Sequence, residues 1–181
     1  MQPLRLLTRT LADLAGVDHY LFTPSDLRAL LPDLSDPAFK TLLSRAVSNG
    51  DLVRVCRGIY LYPRADYPRG LVLFHTAARL RADGFNYISL ETALSDAGAI
   101  SQIPMNWITL MSSGRSSIVR CGDWGTIEFV HTAQLPADLA NELEYDSRCH
   151  LWRTTVQQAL RDMRVTQRNM ELVDRDLIDK E

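Results

Sequence analysis

The 181-residue chain lacks any apolar run near the ~18–20 residues that a membrane-crossing helix needs. Its start interleaves Arg5 and Arg9 with leucines, unlike the separate charged and apolar regions of a signal peptide, so the expected location is the cytoplasm. Cysteine is scarce: Cys56, Cys121 and Cys149 are odd in number and far apart, which argues against a disulfide framework or a four-thiolate zinc site and predicts free, buried thiols. His19, His75, His131 and His150 fall at no metal-ligand spacing, and the adjacent pair Cys149 and His150 suits neither helical nor strand ligation of one ion. Phosphate-cradling Gly-x-x-x-x-Gly-Lys and Gly-x-Gly-x-x-Gly loops are missing. Ser112 to Ser117, with His131 and Asp123, could be drawn as a hydrolase triad, but there is no Gly-x-Ser-x-Gly elbow, and a serine-rich turn is the simpler reading. Glu142, Glu144 and Asp146 have no base or metal partner nearby in sequence and read as a solvated surface. The expectation is a protein that is not an enzyme and needs no metal or cofactor.

What is present is ordinary globular composition, 46% hydrophobic and 23% charged, with length for one domain or two small ones. The formal net charge of −2 is unevenly distributed. Residues 1–69 hold nine basic and seven acidic side chains, a net of +2, leaving eleven and fifteen, a net of −4, beyond them. Residues 38–69 alone carry six basic side chains (Lys40, Arg45, Arg54, Arg57, Arg64, Arg69) against Asp51 and Asp66, a net of +4.

Leu4, Leu7, Leu11 and Leu14 lie at helical spacing, predicting a first helix over residues 4–15 that Gly16 ends. Thr23 before Pro24 and Asp36 before Pro37 each place a capping side chain ahead of a proline, predicting two further helices. Pro32 ends the first of them and Asn49-Gly50 the second. Residues 51–64 then read as strand, Arg57-Gly58 turn and strand. A helix-turn-helix closed by a basic hairpin is the pattern of a winged helix. The turn formers of residues 63–70 place a boundary near residue 69.

Beyond it the pattern predicts a helix that ends at Gly84 and packs through Leu71, Phe74, Ala78 and His75. An extended link at Tyr87-Ile88 follows, then a helix from Ser89, with Glu91 nearby, to Gly98. Three β-rich runs over residues 107–132 predict an antiparallel meander, and residues 135–145 a polar, partly helical stretch. From Arg148 a final helix is predicted, striped by Trp152, Val156, Ala159, Leu160 and Met163. The expected fold class is α+β: a winged helix-turn-helix over residues 1–69 and, over residues 70–181, an α/β domain with a small antiparallel sheet flanked by helices.

Phe39, Leu42, Leu43, Ala46 and Val47 share one face of the third helix, and Lys40, Thr41, Ser44, Arg45 and Ser48 the other. Short polar side chains on an outer helix face suit the major groove of duplex DNA, and Arg54, Arg57 and Arg64 on the hairpin suit its phosphates. Lys40, Arg45, Arg54 and Arg57 are expected to converge on one side. About five neutralised phosphates per subunit would give a slope of log K against log salt near −4 to −5, doubled in a homodimer. Two alternatives stand beside this: a winged helix that contacts protein rather than DNA, and a nuclease or transferase in the second domain, for which no paired carboxylates lie at usable spacing from a lysine.

FTPSDL (residues 22–27), LSRAVSNGDLVRVCRGIYLYP (43–63), YISLETALSDAGAISQIP (87–104), WITLMSSGRSS and IEFVHT together resemble the AbiEi-type antitoxins and transcriptional regulators of bacterial type IV toxin–antitoxin systems. The resemblance implies a winged helix whose wing turn is Arg57-Gly58-Ile59-Tyr60 and a repressor of its own operon. It further implies a functional link to a nucleotidyltransferase-like toxin, counteracted without a stable complex, and a second domain that contributes to antitoxicity.

Overall fold

A computed structural model describes residues 2–100 and 106–174. The chain divides into two compact units, Met1–Val72 and Leu73–Glu181, and its class is mixed α+β.

The first unit opens with helix α1 (Pro3–Leu14), which buries Leu7 and Leu11 completely and half-buries Leu4. Leu14, counted as part of the apolar stripe from sequence, is 47% exposed because the helix ends there and the chain turns extended at Ala15. Strand β1 (Leu21–Phe22) leads into helix α2 (Pro24–Ala29). The expected cap is in place: the Asp26 N–H donates to Thr23 Oγ1 at 3.1 Å, and the Thr23 N–H donates to the Asp26 carboxylate at 2.7 Å.

Helix α3 (Asp36–Ser48) starts one residue earlier than the sequence suggests. Ser35 holds the cap position without a side-chain bond, and Asp36 is the first helical residue, where its charge favours the positive helix end. The α2–α3 turn is held by Arg28, whose guanidinium donates to the carbonyls of Leu31 and Leu34, reaches Asp36 at 3.7 Å and stacks over Phe39. Strands β2 (Val53–Cys56) and β3 (Ile59–Leu61) form an antiparallel hairpin, turned at Arg57-Gly58, where Gly58 has a φ of +90°. β1 pairs with the far edge of β3, giving the order β1-β3-β2. The apolar faces of α1, α2 and α3 meet around Leu7, Leu11, Phe22, Leu27, Phe39 and Leu43. Each such fully buried side chain stabilises the unit by roughly 1.5–3 kcal/mol.

The second unit carries helix α4 (Val72–Leu80), counted from its first residue in the preceding unit, and strand β4 (Asn86–Ile88). The helix stops at Leu80, short of Gly84, because the Asn86 amide captures the carbonyls of Arg81 and Gly84. Its buried positions include Val72, Leu73, His75 and Ala77, while Leu71, Phe74 and Ala78 are only half-buried, so the sequence reading had the packed face rotated. Helix α5 (Leu90–Asp96) follows, then β5 (Trp107–Ser112), β6 (Ser117–Arg120), β7 (Thr126–His131), β8 (Leu143–Asp146), β9 (Leu151–Thr154) and helix α6 (Val156–Val165).

The sheet corrects the sequence reading in three ways. It has six strands in the order β6-β7-β5-β4-β9-β8, it is mixed, with β5 parallel to β7 and β4 parallel to β9, and β5, β6 and β7 do not form a meander. β7 lies inside the sheet, where it buries Ile127 and Phe129, whereas β6 is largely exposed and takes an edge. Tyr87-Ile88, read as a link, is part of an inner strand. Residues 135–145 hold one 3₁₀ turn (Pro136–Leu139) and then β8, and Trp152 lies on β9, exposed and edge-on to Tyr145 at 5.3 Å, rather than on the last helix. The helical stripe survives at Ala159, Leu160 and Met163, behind the Thr155 cap. Cys56, Cys121 and Cys149 are buried thiols that form no disulfide.

Because β7 separates them, the four-residue connection from β5 to β6 must pass the end of β7, and Arg81 pins it there. Its guanidinium donates to Ser112 Oγ at 2.6 Å, Ser117 Oγ at 2.9 Å and the Arg115 carbonyl at 2.6 Å, above the Phe129 ring at 3.9 Å from the centroid. Burial with no carboxylate at ion-pair distance among the described residues lowers its basicity. Arg81→Ala is expected to destabilise the chain by about 2–4 kcal/mol, since it removes charge-assisted bonds and a stacked cation together. Arg81→Lys should restore less than half, because one ammonium lacks the planar fork that reaches three acceptors. Urea unfolding of the three proteins measures both.

Ser89 does not cap α5, as its place before Glu91 suggests; its hydroxyl donates instead to Asp162 on α6 at 2.6 Å, 73 residues away. Asp162 is buried and also accepts from Gln158 Nε2 at 2.8 Å. Burial raises its pKa above the usual carboxylate range against the opposing bonds of Ser89, Gln158 and Tyr87 and the charge of Arg161. The folded state therefore holds the proton more tightly than the unfolded chain. The stabilisation from this group is complete below the unfolded pKa, about 3.9, and is lost as pH rises through the raised folded value. Urea midpoints measured from pH 4 to 7 should fall more steeply for the natural chain than for Asp162→Asn; parallel profiles would contradict the assignment.

Candidate nucleic-acid interface

α3 is amphipathic, and its core residues Phe39, Leu42, Leu43 and Ala46 fix which side chains remain outside. Lys40, Thr41, Ser44, Arg45 and Ser48 are all exposed, as are Arg54 on β2 and Arg57 at the hairpin turn. Lys40, Ser44 and Ser48 repeat every four residues along one line of the helix. With Leu43, Val47, Arg54 and Tyr60 they line a groove of about 330 Å³ between α3 and the hairpin. Thr41 and Arg45 lie on the other flank, in a groove of about 690 Å³ shared with Gln2, Pro3 and Leu4 at the start of α1. The expected convergence of four cations is therefore divided: Lys40 and Arg54 share a groove, Arg45 faces the opposite flank of α3, and Arg57 stands at the tip of the hairpin.

The hydrogen-bond inventory separates these side chains further. Among the described residues, Lys40, Ser44, Arg45, Ser48, Arg54 and Arg57 make no side-chain hydrogen bond or ion pair within the chain, so their donors are available to a partner. Thr41 donates to the Pro37 carbonyl one turn back at 2.9 Å, which leaves its oxygen able only to accept. Arg64 is paired with Asp51 at 3.0 Å, the arginine 62% exposed and the carboxylate 14%. Its charge is partly answered inside the unit, which makes it less available to a phosphate than Arg54 and Arg57.

Two participants escape the sequence reading. Arg28 sets the α2–α3 turn and so aims α3, and no spacing announces it because its partners are carbonyls and a ring. Tyr60 lines the α3–hairpin groove, and the tight Arg57-Gly58 turn does not announce it: regular pairing from Cys56 and Ile59 would set Tyr60 opposite Val55, and the irregularity between Arg54 and Cys56 shifts it opposite Arg54.

Residues 9–63 match the family model described as transcriptional regulator, AbiEi antitoxin. The matched segment runs from the middle of α1 past β3 and contains every expected DNA-contacting residue except Arg64. The match supports an antitoxin or transcriptional-regulator role for this segment. A search among curated proteins found no match. Among the described residues no helix is long and apolar enough to cross a membrane, and no three His, Cys, Asp or Glu side chains are grouped to hold a metal ion.

Proposed function

We propose that the chain is a DNA-binding transcriptional repressor and type IV antitoxin whose first unit is a winged helix-turn-helix. α3 enters the major groove, Ser44, Ser48, Thr41 and Arg45 meet base edges, and the β2–β3 hairpin is the wing that meets phosphates. The observation that carries this reading is the row of unspent donors, Lys40, Ser44, Ser48, Arg54 and Arg57, on α3 and its adjoining hairpin. A surface of free donors without answering carboxylates suits a polyanion.

Repression is by occupancy: a protein seated on the promoter of its own operon excludes polymerase and performs no chemistry, so the chain is not an enzyme. One small module binds weakly, and two subunits on repeated half-sites supply the affinity. The antitoxin acts in the cytoplasm against a nucleotidyltransferase-like toxin with which it forms no stable complex, and the second unit contributes to that activity.

Titration of the purified chain onto duplex DNA from upstream of its gene, at several salt concentrations, tests the reading. With Arg64 paired to Asp51, three to four cations per subunit (Lys40, Arg54, Arg57 and Arg45) meet the duplex, giving a slope of about −3 to −4, doubled for a dimer. A chain that ignores duplex DNA but elutes with the toxin on a sizing column would instead be a protein-binding adaptor.

A further inference from the structure

We infer that the groove between α3 and the hairpin holds one backbone phosphate of the bound duplex, and that the Tyr60 hydroxyl is its third donor beside Lys40 and Arg54. The inference rests on the DNA-binding reading and specifies what this part of the surface touches.

The register of the hairpin places Arg54 and Tyr60 directly opposite one another, so their side chains rise from the same face of the sheet. Lys40 faces them from α3, across the groove of about 330 Å³. No carboxylate lines this groove. Two cations within it outweigh the single charge of a phosphodiester, and neither is engaged elsewhere in the chain.

Tyr60 adds an observation of a different kind. Its ring packs half-buried against the core of the unit, a role that phenylalanine would fill equally well. Its hydroxyl has no hydrogen-bond partner among the described residues, and the residue lines the groove together with Lys40 and Arg54. Tyr60 thus combines an anchored ring with an uncommitted donor beside two cations. A phosphate oxygen accepts from all three donors, whereas an unprotonated ring nitrogen or carbonyl of a base would not balance both cations. The apolar side chains of Leu43 and Val47 in the same groove offer a surface for the adjoining deoxyribose. A phosphate fixed here sets how deeply α3 enters the major groove.

The test uses the full chain and fluorescent duplexes carrying its upstream DNA or an unrelated sequence. Tyr60→Phe should melt at the same temperature and bind both duplexes about 5- to 10-fold more weakly, with an unchanged salt slope because no charge is removed. Replacing each phosphate in turn by an uncharged methylphosphonate should reveal one position per half-site where the natural chain loses affinity and Tyr60→Phe loses markedly less. Equal binding by the two proteins would overturn the inference while leaving DNA binding intact. A loss confined to the upstream sequence would assign the hydroxyl to a base, and identical phosphate profiles would remove it from the backbone; both outcomes overturn it. If the natural chain bound neither duplex, the inference and the DNA-binding reading would fall together.

Discussion

Changing Lys40 and Arg54 together to glutamate is expected to lower affinity for every duplex by at least about 100-fold near 0.1 M salt while leaving the chain folded. Each reversal removes a cation from the α3–hairpin groove and adds a repulsive charge, and together they take residues 1–69 from a net of +2 to −2. Losing two cations from the DNA-facing surface costs up to about two powers of salt dependence, and the new repulsion adds to that. Folding should be indifferent, because both side chains are exposed and neither has an internal partner, and exposed substitutions of this kind change stability by about 0.5 kcal/mol or less. Anisotropy titration and a thermal melt on the same sample separate the two effects. Retained affinity for both specific and unrelated DNA would mean that the groove does not face the duplex.

The second large effect concerns folding. Gly125→Ala is expected to destabilise the second unit by about 2–6 kcal/mol, combining backbone strain of about 1–3 kcal/mol with a steric term of similar size. Gly125 has φ +120° and ψ −145°, a region that side chains disfavour, and a Cβ there would lie 2.1 Å from the Asn106 carbonyl oxygen. That oxygen cannot retreat freely, since it accepts from the Thr126 N–H at 2.8 Å where β5 and β7 begin their parallel pairing. The clash is with backbone, so repacking of side chains cannot relieve it. Gly58 makes the comparison: its φ is also positive but nothing lies within 4 Å of its Cβ position, so Gly58→Ala should cost only the strain. Hydrogen exchange in β5 and β7 should accelerate in Gly125→Ala; unchanged protection there would contradict the account.

What was legible in the sequence was local. Thr23, Pro24 and Asp26 announce α2 within one turn of chain, the alternating faces of residues 39–48 announce α3, and Arg57-Gly58 announces the hairpin. Each depends on neighbours a few residues apart. The arrangement of β5, β6 and β7 was not legible, because the exposed β6 takes the edge outside β7 although the loop from β5 to β6 is short enough for a hairpin. Ser89 looks like a cap in sequence, yet a carboxylate 73 residues away takes its hydroxyl. Trp152 extended a helical stripe by coincidence of spacing, while the chain around it pairs as β9.

The candidate interface divides in the same manner. Which side chains of α3 point outward follows from its period, so Lys40, Thr41, Ser44, Arg45 and Ser48 could all be named in advance. Which of them keep free donors could not, since Thr41 bonds back to Pro37 and Arg64 is taken by Asp51 thirteen residues earlier. Local charge counts overstate the cations that remain for a partner.

The central claim, that α3 lies in the major groove of the chain's own upstream DNA, is tested most directly by probing guanine N7 positions with dimethyl sulfate. The account predicts protected N7 atoms in short half-sites at saturating protein, with protection lost in the Lys40→Glu, Arg54→Glu double variant. Bound DNA whose guanines all remain fully reactive would contradict it.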